Sequence, residues 1–397
     1  MDRYLSTIDA IDQQVAEMRS RPSLSGLPGS LRRTGVLVRH AGSTVGGFYD
    51  ALGLSERART LLNWVSGVYA VPPDEASLVM HALVSLHYVN GGWYPRGGGA
   101  VISQALAGVV ERSGGQLLLQ HEVDQILVSG GRVTGVRAKD GAGGVVKVSA
   151  PVVIAAGDVK RTFLELLDSA VVPVPLRRRV RGYEMALPLA VGYVVLQRDL
   201  AAEGLAASNL VMPPGGDPQR SYDSVRRGVR PDRPATWLTC ASLKDPDNPR
   251  LCPPGQTNLQ LMCVGPPQPR AWGLELGETK GTRYQSAKQT LLQTLLRTAD
   301  RGIPGLSDAV VYADLATPHT DSRYTGVTDG TSYGISATPD QMAWRRPGPK
   351  THLSGLFLAG ASTRSAHGIT GTMASGIDAA TAVLGRSAPA AVTPSST

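Results

Sequence analysis

The sequence predicts an α/β protein in which strand–glycine–helix units are interleaved with a mixed α+β region. Three stretches carry that expectation. Val152-Val153-Ile154-Ala155-Ala156-Gly157 is an unbroken apolar run of the kind a fully buried strand shows. Leu356-Phe357-Leu358-Ala359 is a second short apolar run, followed by a glycine-punctuated loop and a helical pattern with Met373, Ile377 and Val383 inward. Between residues 116 and 148, short β-branched runs alternate with turn signals at Gly130-Gly131 and Asp140-Gly141, which reads as a β-meander.

The remaining elements follow in chain order. Leu5, Ile8, Ile11, Val15 and Met18 recur at three- and four-residue steps, giving an amphipathic helix that Pro22 and the Gly26–Gly29 region end. Helices are expected at 45–54, 57–65 and 76–88, the last with Asp74 and Glu75 suited to its first turn. The stretch Gly91 to Gly99 (GGWYPRGGG) opens a helix with apolar Val101, Ile102, Leu106, Val109 and Val110, which Gly114-Gly115 stops. Strands are expected at 116–119, 123–128, 133–136 and 145–148. Residues 160–345 read as a mixed sheet with helices: strands at 190–196, 236–240, 259–264 and 310–313, and a helix at 286–298. The Ser387–Thr397 tail is rich in Ala, Pro, Ser and Thr and reads as disordered. The chain divides accordingly into 1–90, 91–160, 161–345, 346–386 and the tail 387–397.

Composition narrows the function classes. Hydrophobic residues at 42% support a real core, and 46 Gly with 28 Pro suit a loop-rich α/β protein better than a helix bundle. The net charge of +8 invites a nucleic-acid reading, but aromatic residues are only 5% and no helix carries a base-reading stripe. The basic clusters Arg177–Arg179 with Arg181, and Arg226-Arg227 with Arg230 and Arg233, read first as solvated faces; contact with an anionic membrane surface is the functional alternative. Cys240, Cys252 and Cys263 have neither CxxC spacing nor the numbers for a disulfide framework, so no metal site is expected. The longest uncharged apolar run, around Pro188, is far shorter than the ~20 residues of a spanning helix. The expectation is a cytoplasmic protein, peripheral at the membrane at most, of unassigned oligomeric state.

Two constellations carry chemistry. His367-Gly368-Ile369-Thr370-Gly371 opens the last helix, where unpaired N–H groups and partial positive charge suit an anionic ligand edge. An ordinary strand–loop–helix connection accounts for the same residues. Gly97-Gly98-Gly99 lets backbone pass close to a ligand or a neighbouring strand, but is no phosphate-binding fingerprint. Of the individual side chains, His367 is a candidate to protonate substrate or steady a cofactor, and equally a surface residue. His81 and His87 read as structural histidines, Arg345-Arg346 as a solvated turn, and Gln341 as a surface amide before a pocket group.

The order of these units, with the stretches 87–127, VVIAAG (152–157) and 345–376, resembles the FAD-dependent family of phytoene desaturases, carotenoid isomerases and retinol saturases. The segment from Pro72 through Gly99 and the short Ser242-Leu243-Lys244-Asp245-Pro246 look most similar to the retinol saturase branch. The resemblance implies an FAD/NAD(P)-binding fold of the glutathione-reductase-like, amine-oxidase type and an oxidoreductase acting on a lipophilic isoprenoid polyene. It implies that Val123 meets the adenine through its backbone, and that Ala155, Ala156 and Gly157 line the dinucleotide near its phosphates. Gly360 and Ala361 would approach the pyrophosphate and ribityl chain, Ile369 and Thr370 would cap the flavin ring between Gly368 and Gly371, and Tyr94, Arg96 and Gly97–Gly99 would lie near the ring. The polyene would fill an apolar tunnel built mostly from 160–345 and the early helices.

One feature of that family is not matched. Its members open with a strand–GxGxxG–helix unit that holds the ADP half of FAD, and nothing of that kind precedes Gly91. The expected fold therefore lacks the N-terminal βαβ unit. A longer chain, a separate ADP-binding polypeptide, or a degenerate homologue that binds lipid or a partner without catalysis would each account for it.

Overall fold

The computed structural model describes residues 2–20, 35–275, 281–365 and 367–385. The helix terminator expected at Pro22 and Gly26–Gly29, and the 387–397 tail, lie outside these residues.

The N-terminal region is helical: α1 (Asp2–Ser20), α2 (Gly35–His40), α3 (Val45–Ala51), α4 (Glu56–Leu62), a 3-10 segment Asn63–Val68, and α5 (Leu78–Val89). Thr44 and Ser55 begin α3 and α4 by accepting the Gly47 and Ala58 N–H groups. Ile8 and Ile11 of α1 are fully buried among Val45, Tyr49, Leu78 and Ala82. Leu5 and Met18, expected on the same stripe, are half exposed, and Tyr4 takes the buried place. Its hydroxyl lies 2.6 Å from His81 Nε2, while Tyr69 OH lies 3.0 Å from Nδ1. Burial pushes the His81 imidazole down to about 4, so it is a neutral link between α1 and α5. Glu75 is not a first-turn residue of α5; its carboxylate accepts from the Arg226 guanidinium.

Helix α6 (Ala100–Arg112) leads to the meander β1 (Glu122–Ser129), β2 (Arg132–Lys139) and β3 (Val145–Ser149), in that order and antiparallel. The strand expected at 116–119 does not form. Those residues are irregular and find no pairing partner, and Leu119 is 80% exposed. Strand β4 (Val153–Ala155) follows, only three residues long.

The mixed region contains α7 (Val174–Arg181), β5 (Leu189–Leu196), β6 (Leu210–Met212), α8 (Pro218–Arg226), β7 (Thr236–Thr239), α9 (Ala241–Lys244), β8 (Thr257–Val264), α10 (Thr282–Ala299), β9 (Val310–Ala316) and α11 (Pro318–Thr325). Its five strands form one antiparallel sheet, ordered β6-β7-β8-β5-β9. Strand β8 alternates buried and half-buried residues, as one covered face requires. The cover is α10, whose Leu291, Leu292, Leu295 and Leu296 join Leu259, Leu261 and Cys263 in the largest core.

Strand β10 (Leu356–Leu358) then returns to pair in parallel with β4, Leu356 opposite Val153 and Leu358 opposite Ala155. The chain continues into α12 (Gly368–Leu384). The run at 152–157 is not fully buried: Val152 and Ile154 are 38% and 45% exposed, because β4 pairs along one edge only among the described residues. Met373 and Ile377 of α12, expected inward, are also half exposed. Small residues, Ser375 and Ala379, make its buried face instead. No helix among the described residues is long and apolar enough to cross a membrane.

Candidate functional site

In open α/β sheets, ligands gather beyond the carboxyl ends of the parallel strands. Here β4 runs out into Ala156 and the exposed Gly157, and β10 into Gly360 and Ala361. An added Cβ at Gly157 or Gly368 would meet no atom within 4 Å. Both glycines therefore leave backbone bare to a flat ligand. At Gly360, with φ of +99°, a Cβ would lie 2.9 Å from Ala156 O, so glycine is needed for strand approach. The Gly360 N–H is already engaged, donating to Ser375 Oγ at 2.7 Å, which ties the strand end to α12.

Helix α12 starts without a side-chain cap: its N-cap residue, His367, makes no such bond, and Gly368, Ile369 and Thr370 are exposed. The first N–H groups of a 17-residue helix thus lie on exposed residues, an arrangement that suits an anionic ligand edge.

His367 turns the other way. Its Nε2 lies 3.2 Å from Val68 O, and because a carbonyl only accepts, Nε2 carries the proton. Nδ1 is sealed without a partner. The ring packs at 4.9 Å on Tyr333, whose hydroxyl donates to Gly67 O at 2.9 Å. Burial, and secondarily the charge of Arg346, push His367 down to about 4. A neutral imidazole has no ammonium-like proton to give at pH 7, so His367 works here as a clasp between α12 and the 3-10 segment Asn63–Val68.

Arg346 is no solvated turn. It is 1% exposed, and its guanidinium donates to Gln341 O at 2.9 Å, Ala361 O at 3.1 Å and Ile335 O. Gln341 is likewise internal, accepting from Glu184 N at 2.9 Å. Together they hold the loop after β10 in place. Sequence reasoning missed both, because nothing in an Arg-Arg-Pro string distinguishes the buried arginine from its exposed neighbour.

The glycine loop is held from a distant part of the chain. Asp245, buried beside α9, accepts the Gly97 N–H at 2.8 Å and the Asn248 amide at 2.9 Å. Lys244 places its ammonium 5.8 Å from the Tyr94 ring centre. Gly97 and Gly98 both have positive φ, +92° and +83°, which explains glycine at these two positions. Arg96 and Gly99 are exposed on the same loop, and Val123 lies at the start of β1, partly covered.

On the other side of the 3-10 segment lies an apolar cavity of about 90 Å3, walled by Trp64, Tyr222, Val225, Trp237, Val264 and several prolines. Trp237 lies flat against Gly67, where an added Cβ would come within 2.3 Å of the ring, and its Nε1 donates to Trp64 O at 2.8 Å. Tyr222 OH donates to Ser66 Oγ at 3.1 Å. One short segment therefore divides the cavity from the start of α12, with Gly67 and Val68 carbonyls bound on the α12 side. The prolines at 213, 214, 231 and 234 read in sequence only as loops; their role as cavity wall needed the fold.

The chain is similar to several known proteins. An all-trans-retinol 13,14-reductase of Danio rerio is 26% identical over 305 residues, 75% of this chain and 50% of that protein. A zeta-carotene-forming phytoene desaturase of Myxococcus xanthus is 26% identical, over 79% of this chain and 57% of that protein. The chain spans about half the length of the curated relatives it matches. Among solved structures, a putrescine oxidase superposes with a TM-score of 0.60 at 13% identity, over 97% of this chain and 76% of that one. An oxidoreductase from Methanosarcina mazei gives 0.59 at 16% identity, over 90% and 72%. Residues 223–384 match the family described as flavin-containing amine oxidoreductase, and the described residues share the α/β fold of the solved oxidoreductase and putrescine oxidase.

Proposed function

We propose that this protein is the flavin-ring and substrate-binding part of an FAD-dependent oxidoreductase acting on a lipophilic isoprenoid polyene, retinol- or carotenoid-like. Residues 91–160 and 346–386 form the cofactor side, and 1–90 with 161–345 the substrate side. The observation that carries the reading is the single 3-10 segment Asn63–Val68, with an uncapped helix start on one side and an apolar cavity on the other.

The residues fit the group. The free N–H groups at Gly368 to Thr370 would stabilise negative charge at the pyrimidine edge of a flavin, and bare backbone at Gly157 and Gly368 would allow close contact. Ala155, Ala156 and Ala361 line the same strand ends, Ile369 and Thr370 the helix start, and Val123 the adenine side. Bound FAD supplies hydride transfer to or from a conjugated or allylic carbon. The chain's own part is to orient the polyene, exclude water with Trp64, Trp237 and the prolines, and keep His367 neutral beside the cofactor region.

A second reading concerns completeness. Leu106, Val109 and Val110 of α6, Leu117–Leu119, Val152 and Ile154 of β4, and Ile369, Met373 and Ile377 of α12 are all exposed apolar residues on the cofactor side. Such surface favours a covering partner, and among the described residues β4 pairs along one edge only. In this reading an ADP-binding unit from elsewhere completes the site. Denaturing the purified chain and reading flavin absorbance in the supernatant separates the cases. Released flavin, or uptake of added FAD, supports a self-sufficient cofactor site. A colourless chain that takes up FAD only when a separately expressed ADP-binding unit is added supports the second reading. A chain that takes up none in either condition is a non-catalytic lipid- or partner-binding homologue.

A further inference from the structure

One basic cluster belongs neither to the cofactor side nor to the cavity. Helix α7 places Val174, Arg178 and Arg181 one and two turns apart, on a single exposed face. Arg179 reaches sideways: its guanidinium donates to Arg345 O and lies 6.0 Å from the Tyr183 ring centre. That bond joins the helix to the tight turn Ala343–Arg345. Ala343 has φ of +53°, a left-handed conformation that a residue with a Cβ rarely adopts. Trp344 follows it, 69% exposed, with the Arg345 guanidinium 5.9 Å from its ring centre. Such backbone strain persists only where surrounding contacts enforce it. The enforcing contacts are Arg179 on Arg345 O, Arg345 on Pro339 O at 3.0 Å, and the buried Arg346 behind the turn. The fold thus holds its most polarisable side chain out into solvent, beside a row of arginines.

Those arginines have no carboxylate to answer them. Among the described residues Arg177, Arg178, Arg179, Arg181 and Arg345 form no ion pair. No acidic residue occurs between 169 and 183 or between 341 and 350. Asp168 and Asp340 stand at the edges of the patch, and each already accepts a bond within its own turn, from Ala170 N and Thr338 Oγ1. The other basic cluster differs, since Arg226 is paired with Glu75, and Asp217 and Asp232 share the cleft of Arg230 and Arg233. Unpaired arginines around an exposed tryptophan match the chemistry of an anionic bilayer surface: guanidinium groups meet lipid phosphates, and an indole sits at headgroup depth. A single-stranded nucleic acid could stack a base on Trp344, but the exposed Val174 would gain nothing from it. We propose that the face made by α7 and the Ala343–Arg345 turn docks on an anionic lipid bilayer, with Trp344 and Val174 entering the headgroup layer. This stands independently of what the cavity holds and of whether the chain binds FAD.

The test is sedimentation of the 397-residue chain with vesicles, either of phosphatidylcholine alone or of phosphatidylcholine and phosphatidylglycerol in equal parts. Binding is expected to the anionic vesicles only, and it should weaken as salt rises. Each arginine near such a surface strengthens partitioning about fivefold, so Arg178→Gln with Arg181→Gln should weaken it roughly 30-fold. Trp344→Ala should weaken it severalfold at unchanged charge. All three side chains are exposed, so the melting temperature of these variants should match that of wild type. Arg227→Gln with Arg233→Gln, in the other basic cluster, should bind as wild type does. Equal binding to both kinds of vesicle, or to neither, overturns the proposal. An equal loss in the two double variants also overturns it, because net charge rather than this face would then carry the binding. Binding of single-stranded RNA without binding of vesicles, lost on Arg178→Gln with Arg181→Gln, would give the face to nucleic acid and overturn the lipid assignment.

Discussion

The carboxylate of Asp245 accepts the Gly97 N–H at 2.8 Å, joining two stretches of sequence 148 residues apart. The contact anchors the glycine loop on the substrate side of the fold. Asp245→Ala is expected to cost about 1–3 kcal/mol through the orphaned N–H. It also loosens residues 91–99, so trypsin should cut after the exposed Arg96 faster than in wild type. Asp245→Asn, which keeps an oxygen acceptor, should restore most of the resistance. Unchanged proteolysis in both variants would mean that the loop is held by other contacts.

Gly67 and Trp237 give a second prediction. Because a Cβ at 67 would come within 2.3 Å of the indole, Gly67→Ala must push Trp237 into the cavity. Overpacking of this kind costs about 1–3 kcal/mol. Polyene binding, followed by tryptophan quenching, should fall much further than stability does. Equal binding by wild type and variant would show that the polyene sits elsewhere.

Arg346 supplies a third. Its guanidinium satisfies three backbone carbonyls, two of which a lysine ammonium cannot reach at once with the same planar geometry. Arg346→Lys and Arg346→Met should both destabilise the fold by more than 2 kcal/mol. Hydrogen exchange should rise in residues 359–364, the loop that Arg346 supports. Protection there equal to wild type would contradict the role.

Acid should unfold the protein early. His81 and His367 are both held near 4 by burial, against about 6.5 in the unfolded chain. Protons therefore bind the unfolded state first, and the stability present above pH 6.5 is lost as pH falls toward 4. Each buried imidazole accounts for on the order of 3 kcal/mol over that window. Melting temperature measured against pH should drop steeply there, less so for His81→Gln or His367→Leu relative to each variant's value at pH 7.5. A drop of equal size in both variants would place the acid response on other groups.

Much of this architecture is legible in the residues themselves. The meander, the helix over 282–299 and the strand–glycine loop–helix at the end all show their periodicity or turn chemistry openly. The failures share a cause. The 116–119 run lacks a partner strand, and the 152–157 run and the inner face assigned to Met373 and Ile377 lack a cover, so apolar composition overstates their burial. Asp245 and Trp237 act through contacts with residues far along the chain, and Arg346 through carbonyls that folded loops bring round it. Local pattern carries no trace of such contacts.

A flavin held beside α12 would take a hydride from, or give one to, a polyene carbon in direct contact with its ring, with the Asn63–Val68 segment shaping the boundary of the substrate side. Anaerobic mixing of the FAD-loaded protein with a polyene, monitored through the visible spectrum, tests it most directly. Flavin absorbance should change together with the number of conjugated double bonds in the recovered polyene. If both ligands bind, yet flavin and polyene spectra stay unchanged with either oxidised or reduced cofactor, the claim is contradicted.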